Sequence, residues 1–260
     1  MGDAVEPAEG GVVIDFLGEV AGWFADPANW TGNRGVPNLL LAHVSLSAVA
    51  VAAAALISLP SAIYLGHVRR GGFLAVSLVN IGRALPSFGI VGVMYPVTLA
   101  FALTRSPLGY WATLIAMILL AMPPMFVNAY TAIRDVDPAL TEAARGMGMR
   151  EGQVVRRLEL PLGLPLIMAG IRSAAVAVVA TVTLGAWVGY GTLGTYIFVG
   201  FAQGDEVLIF AGGLLVAMLA VVTELGLGWV ERRTDQTHHG RRRQGARPLA
   251  ISDEVVATRP

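Results

Sequence analysis

The amino-acid sequence predicts an all-α integral membrane protein, and two features lead to that prediction. The first is composition: 55% of the 260 residues are hydrophobic, 14% are charged and the mean hydropathy is +0.65, so the chain is more apolar than an ordinary soluble domain. The second is a set of apolar stretches, each long enough for a helix that crosses the hydrocarbon core, which takes about 20 residues. These five stretches are residues 39–66, 73–103, 110–133, 164–188 and 206–230.

The second stretch is the least regular of the five. It is long and contains Pro86 and Pro96, so we expect a kink, a tilt or a break in that helix.

Arginines are unevenly distributed among the connections between the spans, and their distribution predicts the orientation. Clusters follow the first, third and fifth spans, whereas the other connections hold only Arg105 and the N-terminal segment holds only Arg34. Cytoplasmic loops are enriched in Lys and Arg. About five crossings, with the N-terminus outside and the C-terminus inside, satisfy this pattern. Residues 134–163 are therefore expected to be cytoplasmic.

Two further segments flank the five spans, which together occupy residues 39–230. Residues 1–38 are expected outside the cytoplasm, and their apolar residues recur at helical spacing without the basic region of a signal peptide. This periodicity fits an interfacial amphipathic helix and equally a helix packed on the transmembrane core. Residues 231–260 are charged and polar, which predicts a disordered, Arg-rich cytoplasmic tail. Binding of that tail to anionic lipid is the alternative.

A polar stretch, TEAARGMGMREGQVVRRLELP at residues 141–161, interrupts the apolar chain between the third and fourth spans. Asp137 can cap a helix that begins at Pro138, and Gly146 and Gly148 can end it. A second helix is expected to stop at Pro161. Small alanines on the first helix allow another surface to approach closely, so this helix–turn–helix is expected to dock into a cytoplasmic partner. An amphipathic loop lying on lipid headgroups is the alternative.

The spacing within this stretch resembles the EAA signature of ABC importer permeases. Its elements are Glu142, Ala143 and Ala144, then Gly148, then Leu158, Leu160 and Pro161, with Leu158 where Ile is usual. The segments NIGRALPSFGIVGV, AMPPMFVNAYTAIRDVDPALTEAARGMGM, LPLGLPLIMAGIRSA and GYGTLGTYIFVGFAQ extend the resemblance to the permeases of osmoprotectant importers. One departure is Arg150, where relatives often have Ser or Thr, so we expect some fraying of the second helix.

The resemblance implies a type I ABC importer permease core in a bacterial cytoplasmic membrane. It also implies transport of glycine betaine, carnitine, choline or proline. The residues that would couple the chain to its ATPase are Glu142, Ala143, Ala144, Gly148, Leu158 and Pro161. A permease for methionine or another small solute is the alternative, because methionine permeases share the EAA loop.

The chain cannot hold ATP in a P-loop. All eighteen basic residues are Arg, and a Walker A motif needs a Lys that reaches the phosphates. ATP and Mg are therefore expected on a separate ATP-binding subunit pair, with this chain as a non-catalytic transport subunit that binds no cofactor or metal. The resemblance also implies a second permease subunit, the same or related, an extracytoplasmic solute-binding protein and contact with membrane lipid. A formal net charge of zero gives no indication of nucleic acid.

An ion-coupled secondary transporter acting alone is the alternative from a different class. Such carriers place ionisable groups near the middle of the membrane, and no carboxylate lies clearly at that depth. Arg83, three residues before Pro86, is either a pathway or interface group or an arginine that snorkels beside a broken helix.

Aromatic and charged residues elsewhere complete the candidate site residues. The candidates for the pathway or the external gate are Arg83, Pro86, Trp187, Tyr190 and Tyr196. The aromatic rings in the loop between the fourth and fifth spans could attract a quaternary ammonium group. An interfacial aromatic belt is the alternative. Arg172 and Glu224 lie at similar predicted depths, so they are expected either to form an ion pair or to snorkel separately to the headgroups.

Overall fold

The computed structural model of the chain describes residues 9–73, 77, 86–101 and 109–245, and within these ranges it describes side chains from Val13 to Arg233. Every regular element in the described ranges is helical, which confirms the all-α prediction. The main helices are α1 (Glu9–Ala25), α2 (Val36–His67), α3 (Ser87–Ala100), α4 (Tyr110–Arg134), α5 (Pro138–Gly146), α6 (Glu151–Val154), α7 (Leu160–Thr181), α8 (Gly194–Gln203) and α9 (Glu206–Gly245). Short 3₁₀ helices occupy Pro27–Trp30 and Val182–Val188, and a π turn occupies Val155–Glu159.

Four of the five predicted spans form helices that are long and apolar enough to cross a membrane. They are Val36–His67, Tyr110–Arg134, Glu151–Val188 and Glu206–Arg233. The remaining span, residues 73–103, is described mainly as the 14-residue apolar helix α3. This helix begins directly after Pro86, where the missing N–H and the fixed φ of proline are tolerated. The predicted candidate Arg83 lies outside the described residues.

The centre of the bundle is formed by α2, α4 and α7. The main buried cluster includes Leu46 of α2, Met117 of α4 and Val178 of α7. The α4–α7 interface is close because Gly170 has no side chain: a Cβ there would lie 2.7 Å from Asn128 Cβ. Small residues at helix interfaces allow such close backbone packing in membrane proteins.

The N-terminal helix α1 packs against the bundle rather than standing apart from it. The Phe16 ring meets the Phe210 ring of α9 edge to face, with centroids 5.4 Å apart. Trp23 meets Tyr196 of α8 in the same way at 5.2 Å. The Tyr196 hydroxyl also donates a hydrogen bond to the Arg34 carbonyl oxygen at 2.7 Å. These contacts correspond to the alternative of a helix packed on the transmembrane core.

The helix α9 continues well past the predicted end of the fifth span. It reaches Gly245, so residues 231–245 are helical where a disordered tail was expected. Extending an existing helix costs less than starting one, and the Arg, Glu and Gln residues of this segment have high helix propensity. Residues 246–260 of the predicted tail lie outside the described residues.

Candidate functional site: the EAA loop and its supports

The first helix of the EAA loop, residues 134–163, is α5. The Asp137 Oδ1 atom accepts a hydrogen bond from the Ala139 backbone N–H at 2.9 Å, so Asp137 caps the helix as the sequence predicts. The helix ends at Gly146, and Gly148 follows with φ of +87°. This left-handed conformation suits glycine, because other L-residues adopt it at a cost. The first half of the loop therefore has the predicted helix–turn form.

The helix α5 presents an apolar surface to solvent. Thr141 and Ala144 are buried against the rest of the chain. On the opposite side, the exposed fractions of Leu140 and Met147 are 48% and 79%, and Ala143 and Glu142 are exposed as well. An apolar surface of this kind on a polar loop is typical of a protein interface.

The second half of the loop differs from the prediction, because Pro161 does not end a helix there. The helix α6 runs through the π turn Val155–Glu159 directly into α7, and Pro161 lies in the first turn of α7. The wider π turn changes the hydrogen-bond ladder, with the Leu160 N–H bonded to the Val155 carbonyl. Because the helix is continuous from Glu151, it is this local change of the ladder that accommodates a residue without an N–H.

The start of α6 has a hydrogen bond that the sequence did not predict, and the expected fraying stays a prediction. The Gln153 Oε1 atom accepts a hydrogen bond from the Arg150 backbone N–H at 2.8 Å. This bond is one half of a capping box, so the side chain of Gln153 helps to cap the start of α6.

An ion pair joins the two halves of the loop. Arg145 Nε and Nη2 donate to the two carboxylate oxygens of Glu151, at 2.9 and 3.1 Å. Such a two-point contact favours one relative orientation of α5 and α6, and water screens it because both side chains are exposed. Beside it, a polar cleft of about 650 Å³ is lined by Arg150, Gly152, Gln153, Arg156 and Arg157.

The end of α2 supports the loop through residues that the sequence did not single out. His67 Nδ1 lies 2.8 Å from Glu159 Oε2, and His67 Nε2 lies 3.1 Å from Glu151 Oε2. Glu159 is only 3% exposed. One signal was available in the sequence: Glu159 follows Val154 and Val155 at helical spacing, on the side of the helix that faces the bundle. Within the described ranges, no set of three His, Asp or Glu side chains is arranged to hold a metal ion.

Arg172 and Glu224, the residues of the predicted ion pair, are close together. Arg172 Nε of α7 lies 3.6 Å from Glu224 Oε1 of α9. Arg172 Nη1 lies 3.0 Å from Oε2 of Glu231, about two helical turns further along α9. The arginine thus faces two carboxylates of α9, of which the sequence singled out one.

The aromatic candidates divide into buried and open positions. Tyr190 is buried with its ring centroid 5.3 Å from that of Tyr110, and Tyr196 is buried beneath α1. Trp187 is 47% exposed and lies against Phe88, which is 46% exposed, with ring centroids 4.5 Å apart. Of the three aromatic candidates, Trp187 is therefore the exposed one. Its neighbour Phe88 lies two residues after Pro86, and the sequence did not single it out.

Comparison with known proteins places this architecture in a family. Residues 54–236 match the family described as binding-protein-dependent transport system inner membrane component. The carnitine transport permease protein OpuCD of Listeria monocytogenes is 33% identical over 201 residues, which are 77% of this chain and 86% of that protein. The choline transport system permease protein OpuBB of Bacillus subtilis is 34% identical over 191 residues, 74% of this chain and 84% of that protein.

Further relatives agree with this placement. The osmoprotectant import permease protein OsmW of Salmonella typhimurium is 32% identical over 199 residues, 75% of this chain and 88% of that protein. Among solved structures, an inward-facing form of the MetNI methionine ABC transporter has a similar fold. Its TM-score is 0.65 at 23% identity, with 76% of this chain and 95% of that chain covered. This chain belongs to the binding-protein-dependent transport system inner membrane components, the non-catalytic, multi-pass permease subunits of ABC importers.

Proposed function

We propose that this chain forms the translocation pathway of an importer for osmoprotectants such as glycine betaine, carnitine, choline or proline. The observation that carries the proposal is the agreement among relatives at 32–34% identity over about three quarters of the chain, which are named for carnitine, choline and osmoprotectant transport. The likeness to the methionine transporter, at 23% identity, supports the fold and leaves the solute open.

The EAA loop is the proposed contact with the ATP-binding subunits. The exposed Leu140, Ala143 and Met147 are spaced three and four residues apart, so they form one apolar stripe on α5. Docking of that stripe into a cleft of the ATP-binding subunit removes it from water, which is favourable. Glu142 and Gly148 lie beside the stripe. The two ATP-binding subunits bind ATP and Mg, and this chain transmits the movement of those subunits to the membrane helices.

The proposed membrane placement is supported by the arginines together with the fold. The C-terminal end of α2 and the N-terminal end of α7 meet at the EAA loop, as the contacts of His67 with Glu159 require. Arginines concentrate at this end, so it is assigned to the cytoplasm of a bacterial cell and α1 to the outer side. A solute-binding protein docks on that outer side. A second permease subunit, the same chain or a related one, completes the pathway.

The open Phe88–Trp187 pair supports a pathway role for Trp187. Aromatic faces attract quaternary ammonium groups by cation–π interaction, worth about 0.5–2 kcal/mol depending on desolvation. Glycine betaine, carnitine and choline all carry such a group.

Uptake by the reconstituted complex tests the proposal. The permease, its ATP-binding subunits and its solute-binding protein are placed in proteoliposomes and offered labelled glycine betaine, carnitine, choline, proline and methionine. We expect ATP-dependent uptake of at least one osmoprotectant and none of methionine. Uptake of methionine alone contradicts the assigned solute class. Ion-driven uptake by the permease without ATP contradicts the transport mechanism.

A further inference from the structure

The C-terminal end of α2 contacts the EAA loop on both sides of α5. Before α5, Arg69 Nη2 donates a hydrogen bond to the Val136 carbonyl oxygen at 3.0 Å. After α5, His67 Nδ1 lies 2.8 Å from Glu159. Val136 directly precedes Asp137, the cap of α5, and Glu159 directly precedes the Leu160-Pro161 pair of the motif. Two residues of α2 and its following turn thus reach both stems of the loop.

The two carboxylates that face His67 are not equivalent. The Glu159 side chain is 4% exposed, whereas the Glu151 side chain is 60% exposed and also bound by Arg145. Water screens the contact with Glu151, while a buried carboxylate that loses its partner keeps its full desolvation penalty. The contact between His67 and Glu159 is therefore the one that sets the position of the second stem.

The end of α2 is itself held firmly against α4. A Cβ at Gly66, the residue before His67, would lie 2.9 Å from the Tyr130 carbonyl oxygen and 3.0 Å from Ile133 Cβ. The two helices therefore touch backbone to backbone at this level. Arg69 has a φ of +53°, a conformation that costs a non-glycine residue energy, and its hydrogen bond to Val136 compensates for part of that cost.

We propose that His67 and Arg69 form a brace that makes the EAA loop and the adjoining ends of α2 and α4 move as one unit. In this role they are positioning residues for the coupling of ATP hydrolysis to transport. When the ATP-binding subunits move the EAA loop, the brace transmits that movement directly to α2 and α4. The inference rests on the proposed coupling role of the loop.

Two substitutions that each keep one nitrogen of His67 test the brace. The amide nitrogen of asparagine stands close to the Nδ1 position, so His67→Asn retains a donor for Glu159. The longer glutamine places its amide nitrogen near the Nε2 position, so His67→Gln retains a donor for Glu151 alone. The measurement is the number of solute molecules transported per ATP hydrolysed by the reconstituted complex. A variant that only reduces the amount of folded complex lowers uptake and hydrolysis together and leaves this ratio unchanged.

We expect His67→Gln to lower the ratio by about fivefold or more, the lower end of typical coupling between sites, and His67→Asn to keep the wild-type ratio. Arg69→Ala, which removes the guanidinium and keeps the side-chain β-carbon, is expected to lower the ratio as well. Equal ratios for His67→Asn and His67→Gln, or a wild-type ratio in Arg69→Ala, overturn the proposal. If the wild-type complex transports a solute outside the osmoprotectants, the solute assignment fails, and the ratio measured with that solute still decides the brace.

Discussion

Gly148 allows the link between backbone conformation and coupling to be tested by a single methyl group. Its φ is +87°, and no atom lies within 4 Å of the position that a Cβ would occupy. A side chain there meets no steric obstacle within the chain, so the cost of Gly148→Ala comes from the backbone alone. An L-residue in the left-handed region costs about 1–2 kcal/mol.

Gly146 offers a matched control two residues earlier. It is the last residue of α5, and a Cβ there also meets nothing within 4 Å. Because Gly146 is helical, Gly146→Ala is expected to stabilise the loop, by at most about 0.5–1 kcal/mol at the end of a helix, since alanine loses less conformational entropy than glycine. The two substitutions add the same methyl group to the same loop with opposite expected signs.

The assay is ATP-driven uptake in proteoliposomes, together with the thermal unfolding of each detergent-solubilised variant. A cost of about 1–2 kcal/mol lowers the ratio of native to non-native turn conformations about 5- to 30-fold. Gly148→Ala should therefore reduce uptake, while Gly146→Ala preserves it. The reasoning is refuted if Gly148→Ala transports like the wild type. It is equally refuted if the two variants lose uptake to the same extent, since a docking clash rather than backbone strain would then be the cause.

Three further predictions concern the loop and the packing of the helices. Glu142→Lys should abolish ATP-driven uptake while the chain stays in the membrane, because Glu142 is exposed and contributes little to folding; normal uptake would remove its assignment to the coupling surface. Arg172→Ala and Glu224→Ala should be non-additive in a thermal-unfolding double-mutant cycle by about 0.2–1 kcal/mol, as for an exposed pair, and strict additivity would show that the 3.6 Å contact contributes nothing. Gly170→Val should destabilise the solubilised protein by about 1–3 kcal/mol through overpacking against Asn128, visible as a lower Tm; an unchanged Tm would mean that the α4–α7 interface can open at no cost.

The amino-acid sequence by itself determined the helical class, four of the long spans and the form of α5. These features depend on local or periodic signals. An apolar run of sufficient length predicts a span, and Asp137 before Pro138 predicts a helix start, because the chemistry involved lies within a few neighbouring residues. The spacing from Glu142 to Pro161 likewise indicated the family that the comparisons show.

Only the tertiary structure decided which distant residues meet. His67 and Glu159 are 92 positions apart, and their contact depends on how α2 and the continuous helix that contains α6, the π turn and α7 are rotated about their axes when they pack. The same holds for Phe88 beside Trp187 and for Tyr196 beneath α1. The path of the chain through Pro161 was also decided at this level, since a π turn accommodates a proline that local rules treat as a helix end. Local propensities specify where helices form, whereas the contacts between them depend on the packing of whole helix surfaces, which no short stretch of sequence contains.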